Sequence, residues 1–465
     1  MAISNELNTL KINISNAYNM IQTKGGTVPA NKNTQNLSDA INTIQGGGSG
    51  TDYFVDTISS NNYKAINLIK SIPPIEGIIT DMQEMFSGCS SLNTISLLDT
   101  SHVGNMSGMF KSCASLINIP LLDTSKVTNM KGMFRACISL TTIPLLDTSN
   151  LTNMQEMFYN CTALTTIPLL DTSKVTNMVY TFTGCTALTT IPALNTSSVK
   201  DMQYMFSNCT VLTAIPLLDT SNVINMSNMF YKCTSLTTIP LLDTSKVTNM
   251  NSVFSNCTAL TTIPALDTSS VTNMQSMFSG CTSLTTIPTL DTSKVTEMSS
   301  MFYNCTALTT IPALDTSSVT SMSSMFSGCT SLTTIPTLDT SKVTNMNSMF
   351  SNCTALTTIS ALDTSSVINI YNIFVACPNI ENIVGFQNLG NAYSKTSSAG
   401  FTNYELKLAS AKKLTHDSLM NVINNLYDIK TKGCKAQKLT LGTENVAKLT
   451  AEEIAIATNK GWTVS

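Results

Sequence analysis

Two residue types sit at spacings that could do chemistry. Thirteen cysteines, from Cys89 to Cys377, recur every 24 residues, and Cys434 alone stands outside the series. The tripeptide Asp-Thr-Ser recurs eleven times from Asp99 to Asp363, its series broken once by Asn195. Asp-Thr-Ser resembles the surroundings of the catalytic aspartates of aspartic proteases, where two carboxylates share one proton. A hydrolase needs two such carboxylates, so eleven copies read as a turn whose Asp bonds local backbone N–H groups. A cation held along an Asp ladder is the alternative. No C-x-x-C spacing occurs, which argues against zinc. With two histidines in the chain, His102 and His416, neither His-based catalysis nor a His metal cluster is expected. Catalytic residues, metal and cofactor are all expected to be none.

Charged residues make up 11% of the 465 residues, against roughly 25% in an average soluble domain. Net charge is −3, without the clustered Lys and Arg that a nucleic-acid binder requires. No apolar run is long enough to insert in a membrane. The start, MAISNELNTLKINISNAYNM, lacks a signal-peptide form, so folding in the cytosol is expected.

The elements that position these residues follow from the period. Phenylalanine holds the same phase from Phe86 to Phe374, and the unit reads V-T-N-M-x-x-M-F-x-x-C-T-x-L-T-T-I-P-x-L-D-T-S-x. A fixed period of this length marks a solenoid, because a 24-residue unit cannot bury its apolar side chains until neighbours stack on it. Within one unit, Val127, Met130, Met133, Phe134 and Cys137 have the spacing of one helical face. Leu140, Ile143 and Leu146 follow in an extended half where Thr141 and Thr142 favour strand and Pro144 ends it. The fold class is therefore an α/β repeat of about thirteen coils. Stacking could bring successive cysteines within disulfide reach, but a buried, reduced thiol is the expected state.

The segment MFSGCTSLTTIPTLDTSKVTNM resembles the BspA-like leucine-rich repeats of bacterial and phage surface proteins, over about residues 80–380. The resemblance implies a right-handed leucine-rich-repeat solenoid used for adhesion or recognition. The segment after the array resembles the end unit of such proteins. It reads helix (417–427), strand (437–441), helix (449–459) and short strand, an α/β cap over the last coil.

Residues 1–45 do not repeat. Ile3, Leu7, Leu10, Ile14, Ala17 and Ile21 form a heptad seam. A second helix follows after Gly25-Gly26 and Pro29. The segment folds on itself as a hairpin or self-associates as an anchor, a trimer being the favoured oligomer. Part of it resembles short modules of phage structural proteins. The expected domains are a helical anchoring and oligomerisation module (1–45), a Gly-rich linker (46–52), the solenoid's N-terminal cap (53–80), the solenoid (81–380) and the C-terminal cap (381–465).

Recognition is expected where the ladders break, between the two methionines and just after Phe. Tyr159, Tyr180, Tyr204, Tyr231, Tyr303 and Tyr371 stand there, and exposed aromatics suit sugar faces or protein patches. Lys111, Lys131, Arg135 and Lys232 read as solvated. The resulting expectation is a non-enzymatic virion protein, a phage tail fibre or receptor-binding protein made in the host cytoplasm. Its N-terminus would dock on a tail or baseplate protein and its solenoid would meet a host glycan or protein. A bacterial cell-surface adhesin and a phage head fibre or decoration protein are the alternatives.

Overall fold

The computed structural model describes residues 71–72, 78–95, 98–390, 405–431 and 436–465. The expected N-terminal module with Ile3, Leu7, Leu10, Ile14 and Ile21, the linker, and most of 53–80 lie outside these residues, as does Cys434.

Each 24-residue unit makes one coil, and each coil pairs with the next in parallel through single bridges such as Asn129↔Asn153 and Asn153↔Asn177. Successive copies of a residue therefore stack in columns. Val127, Met130, Met133, Phe134, Cys137 and Leu140 are fully buried, and the same positions are buried coil after coil. The phenylalanines form one continuous stack from Phe86 to Phe374, near-parallel, with centroids of neighbouring rings 5.6 to 5.9 Å apart. Two polar columns join the core by bonding backbone across coils. Cys137 Sγ donates to the Phe110 carbonyl (3.0 Å) and Thr124 Oγ1 to the Asp147 carbonyl (2.7 Å). Both patterns repeat along the array, and pairing a buried carbonyl in this way removes the cost of desolvating it.

The expected helical face is not a helix. Met133 N–H bonds the Met130 carbonyl, Arg135 N–H that of Gly132, and Cys137 N–H that of Phe134, each closing a four-residue turn. The N–H groups between them, on Met130, Gly132, Phe134 and Ala136, donate to the next coil at 2.6 to 3.2 Å. An α-helix cannot share its donors between itself and a neighbour. Positive φ at Gly132 (59°) and Ala136 (60°) fixes the alternation, since these are the third residues of turns that require it. Between residues 78 and 390 no helix is described, so the repeat is built of turns and extended chain rather than α/β.

The expected strand is also reduced, and proline explains where. β1 (Ser71–Ile72) pairs in parallel with β2 (Thr94–Ile95). β3 (Thr358–Ile359) and β4 (Leu362–Asp363) pair with β5 (Asn382–Ile383) and β6 (Phe386–Gln387). Ser96 and Ser360 stand beside β2 and β3 where Pro120, Pro144 and their successors stand in the coils between. Without an N–H at that position the ladder shrinks to contacts such as Thr141 N–H to the Ile117 carbonyl (3.2 Å).

After the array, β7 (Glu405–Lys407), β8 (Gln437–Thr440) and β9 (Trp462–Val464) form a parallel three-stranded sheet. It is accompanied by α1 (His416–Asn424), the short α2 (Thr443–Val446) and α3 (Ala451–Asn459). Thr450 and Glu453 cap α3 reciprocally. His416 Nε2 lies 2.8 Å from Glu453, joining α1 to α3. The segment hydrogen-bonds to the last coils. Ser418 Oγ donates to the Glu381 carbonyl (3.0 Å) and Ser410 Oγ to that of Phe374 (2.9 Å).

Candidate functional site

The Asp-Thr-Ser column resolves into three structural roles. Asp219 Oδ1 accepts from Ser221 N–H (3.0 Å) and Ser221 Oγ (2.7 Å), and Asp243, Asp267, Asp291 and Asp315 repeat the pair. The Thr between them is buried and spans to the next coil. These bonds, the Ser hydroxyl first, hold the carboxyls below the usual range, outweighing repulsion from neighbouring aspartates. A proton-sharing dyad needs the opposite, one carboxyl raised. Asn195 accepts the same two bonds from Ser197 without a charge.

A pH dependence follows. The unfolded carboxyl titrates near 3.9 and the folded one lower, so the added stability is complete above that pH and disappears as pH falls through the folded value. The melting temperature is expected to stay level from about pH 7 to about 5 and to fall below about 4. Replacing Asp219, Asp243 and Asp267 by Asn should flatten that fall, as thermal melts across pH would show.

The column cysteines from Cys113 to Cys377 are outside any disulfide and are buried. Burial pushes the Cys161, Cys233, Cys281 and Cys329 thiols up to about 12, the opposite of an activated nucleophile. Among the described residues, no three His, Cys, Asp or Glu side chains gather to hold a metal ion, and no helix is long and apolar enough to cross a membrane. His102 Nδ1 lies 3.0 Å from Ser101 Oγ.

The tyrosines separate into one cluster and three outliers. Tyr180 and Tyr204, one coil apart, stack with centroids 4.6 Å apart, and Tyr159 meets Tyr180 edge-on at 6.1 Å. Arg135 lies over the Tyr159 ring, 4.7 Å from its centroid, and pairs with Glu156. Arg135 is thus an organised part of the patch and not the solvated side chain expected. Tyr231 carries Lys232 over its ring at 5.2 Å, Tyr371 carries Lys407 at 5.1 Å, and Tyr303 stands exposed. The three-coil spacing of Tyr159, Tyr231 and Tyr303 brings no two of these three rings into contact with each other.

The cluster is built against local preference. Tyr180 (φ 59°) and Tyr204 (φ 57°) occupy the positive-φ turn position filled by Ser in five later coils, from Ser252 to Ser348. A bulky residue there is a true outlier, and such strain concentrates at functional positions. The coil around Tyr180 also departs from the repeat. Thr181 replaces the column methionine and bonds the Met154 and Met178 carbonyls (3.1 and 2.8 Å), while Thr183 Oγ1 donates to the Tyr204 carbonyl. Partial burial beside Tyr204 and Tyr159 raises the Tyr180 phenol, keeping its O–H as a donor.

A family model described as "Mycoplasma protein of unknown function, DUF285" matches residues 77–167, 165–240, 236–332 and 285–386. The chain belongs to this family. No curated relative matches it. Among solved structures, this DUF285 member is similar to a leucine-rich repeat protein from Eubacterium ventriosum, at 19% identity, with 63% of this chain and 78% of that chain covered and a TM-score of 0.35. It is similar to a leucine-rich repeat protein of T. pallidum at 21% identity, covering 44% and 72% with a TM-score of 0.23. A third likeness is to the internalin InlF of Listeria monocytogenes, at 14% identity, covering 75% and 94% with a TM-score of 0.23. The repeat fold of this DUF285 member rests on its own 24-residue hydrogen-bond ladder.

Proposed function

We propose that this chain is a non-enzymatic adhesion protein whose solenoid presents the Tyr159–Tyr180–Tyr204 patch to a surface glycan. The observation that carries the reading is the stacked Tyr180–Tyr204 pair held at positive φ. Stacked rings offer a flat apolar face that loses little entropy on binding. The adjoining Arg135–Glu156 pair supplies a donor and an acceptor for hydroxyl groups. The proposed setting is a phage particle, with residues 1–45 docking or trimerising on a tail structure, and the heptad seam supports it. A bacterial cell surface is the second setting, favoured by the family's description as a Mycoplasma protein.

Tyr180→Ser with Tyr204→Ser tests the patch. Serine already occupies this turn position, so the melting temperature should hold, while signal on a glycan microarray should fall by about tenfold or more. Equal signal from both proteins would remove the patch from the function. The setting is tested by deleting residues 1–48: loss of particle incorporation supports docking, and undiminished incorporation contradicts it.

A further inference from the structure

A second surface lies on another part of the coil. In I-P-x-L-D-T-S the residue after proline is Leu at 121, 145, 169, 217 and 241, and Ala or Thr at 193, 265, 289, 313 and 337. These five leucines are 64–72% exposed, whereas the neighbouring column leucines, such as Leu122 at 3%, are buried. Later coils stack with Ala or Thr at this position, so leucines this exposed are not required to hold the coils together. The row borders an open groove of about 1250 Å³ over the coils from Leu98 to Asn195, whose other side is the Asp-Thr-Ser column. A second groove of about 770 Å³ runs on from Leu194 to Asp267. They meet at the coil where Ala193 and Asn195 replace both the leucine and the aspartate. None of the tyrosines of the patch lines either groove.

We propose that the Leu121–Leu145–Leu169 row and the adjoining Asp123 and Asp147 form a docking groove for a basic amphipathic α-helix of a partner protein. Two observations select that occupant. The first is spacing. Neighbouring coils repeat at about 4.8 Å where backbone pairs and at 5.6 to 5.9 Å between Phe rings. A helix places one apolar residue per turn at a pitch of about 5.4 Å, so its apolar stripe meets the row leucine for leucine. Same-face residues of an extended peptide recur at about 6.6 Å and drift out of step with the row. The second is charge. Asp123 accepts both Ser125 bonds on Oδ1, which leaves Oδ2 beside the apolar row; the Lys126 charge acts on this carboxylate from a distance without forming an ion pair with it. Lys174, on the same side of the coil, is turned to Asn150 Oδ1 at 2.8 Å. A lysine or arginine on the helix flank would pair with each free oxygen.

The probe is a blocked, fluorescent Leu/Lys peptide of about 14 residues with leucines at helical spacing, titrated against the full chain. Fluorescence anisotropy should show binding, and circular dichroism should show the peptide becoming helical. The paired change Leu145→Ala and Leu169→Thr, residues the later coils already use, should weaken binding by about tenfold or more. Asp123→Asn with Asp147→Asn should weaken it less and remove most of its salt dependence. Binding that is unaffected by the leucine changes would mean charge attraction alone and would overturn the proposal. No binding would overturn it too, as would sedimentation showing that the leucines instead hold two copies of this chain together.

Discussion

Replacing Phe230 by alanine is expected to destabilise the array by about 3–5 kcal/mol. The ring lies between Phe206 and Phe254, 5.8 Å from each, and is completely buried. Truncation removes its own apolar burial and the stacking contacts on both faces, and leaves a hole between two coils that hydrogen bonds hold at fixed spacing. Those bonds, Phe206 N–H to the Met229 carbonyl and Phe230 N–H to that of Val253, both 3.0 Å, prevent collapse onto the cavity. Equilibrium denaturation of Phe230→Ala against the parent measures the loss. Because coils contact chiefly their neighbours, the same change at Phe86, near the array's start, should cost less. A cost under about 1 kcal/mol at Phe230 would mean that the stack does not carry the core.

The second large effect concerns whole coils. Excising residues 247–270 joins Lys246 to Val271 and leaves every column in phase. The shortened chain is expected to keep its circular dichroism spectrum and a cooperative melt, with the midpoint lowered by a few degrees. Excising residues 247–258 removes half a coil. It would set Val and Met positions over Leu and Thr positions and break the bridges from Asn249 onward. That variant should lose most of its cooperative transition. The contrast separates register from composition, since the two deletions remove similar residues.

The columns were legible in the sequence because a period of 24 with identical side chains admits one stacking. The local backbone was not, and the reason lies in particular residues. Spacings of three from Val127 to Met133 fit a helix and a run of four-residue turns equally well. The deciding signal was the residue before nine of the thirteen column cysteines, Gly or Asn at Gly88, Asn160, Gly184, Asn208, Asn256, Gly280, Asn304, Gly328 and Asn352, which marks positive φ and forbids a helix. Proline likewise announced an extended stretch but also removed the donor that would have made it a strand. For the patch, the sequence named the tyrosines without grouping them. Arg135 and Glu156 were missed because a pairing 21 residues apart shows only once Arg135 is placed one coil from Tyr159. The boundaries of α1 and α3 lie within three residues of the helices expected at 417–427 and 449–459.

In-register stacking is tested most directly by counting reactive thiols in the native protein. Every column thiol from Cys113 to Cys377 donates to a carbonyl of the preceding coil and is raised by burial. Maleimide labelling with intact-mass readout at pH 7 is therefore expected to leave the thirteen column cysteines unmodified, and labelling in denaturant should modify all of them. Rapid native labelling of several column cysteines, or a mass deficit from disulfides between successive coils, would contradict the stacked, hydrogen-bonded columns described here.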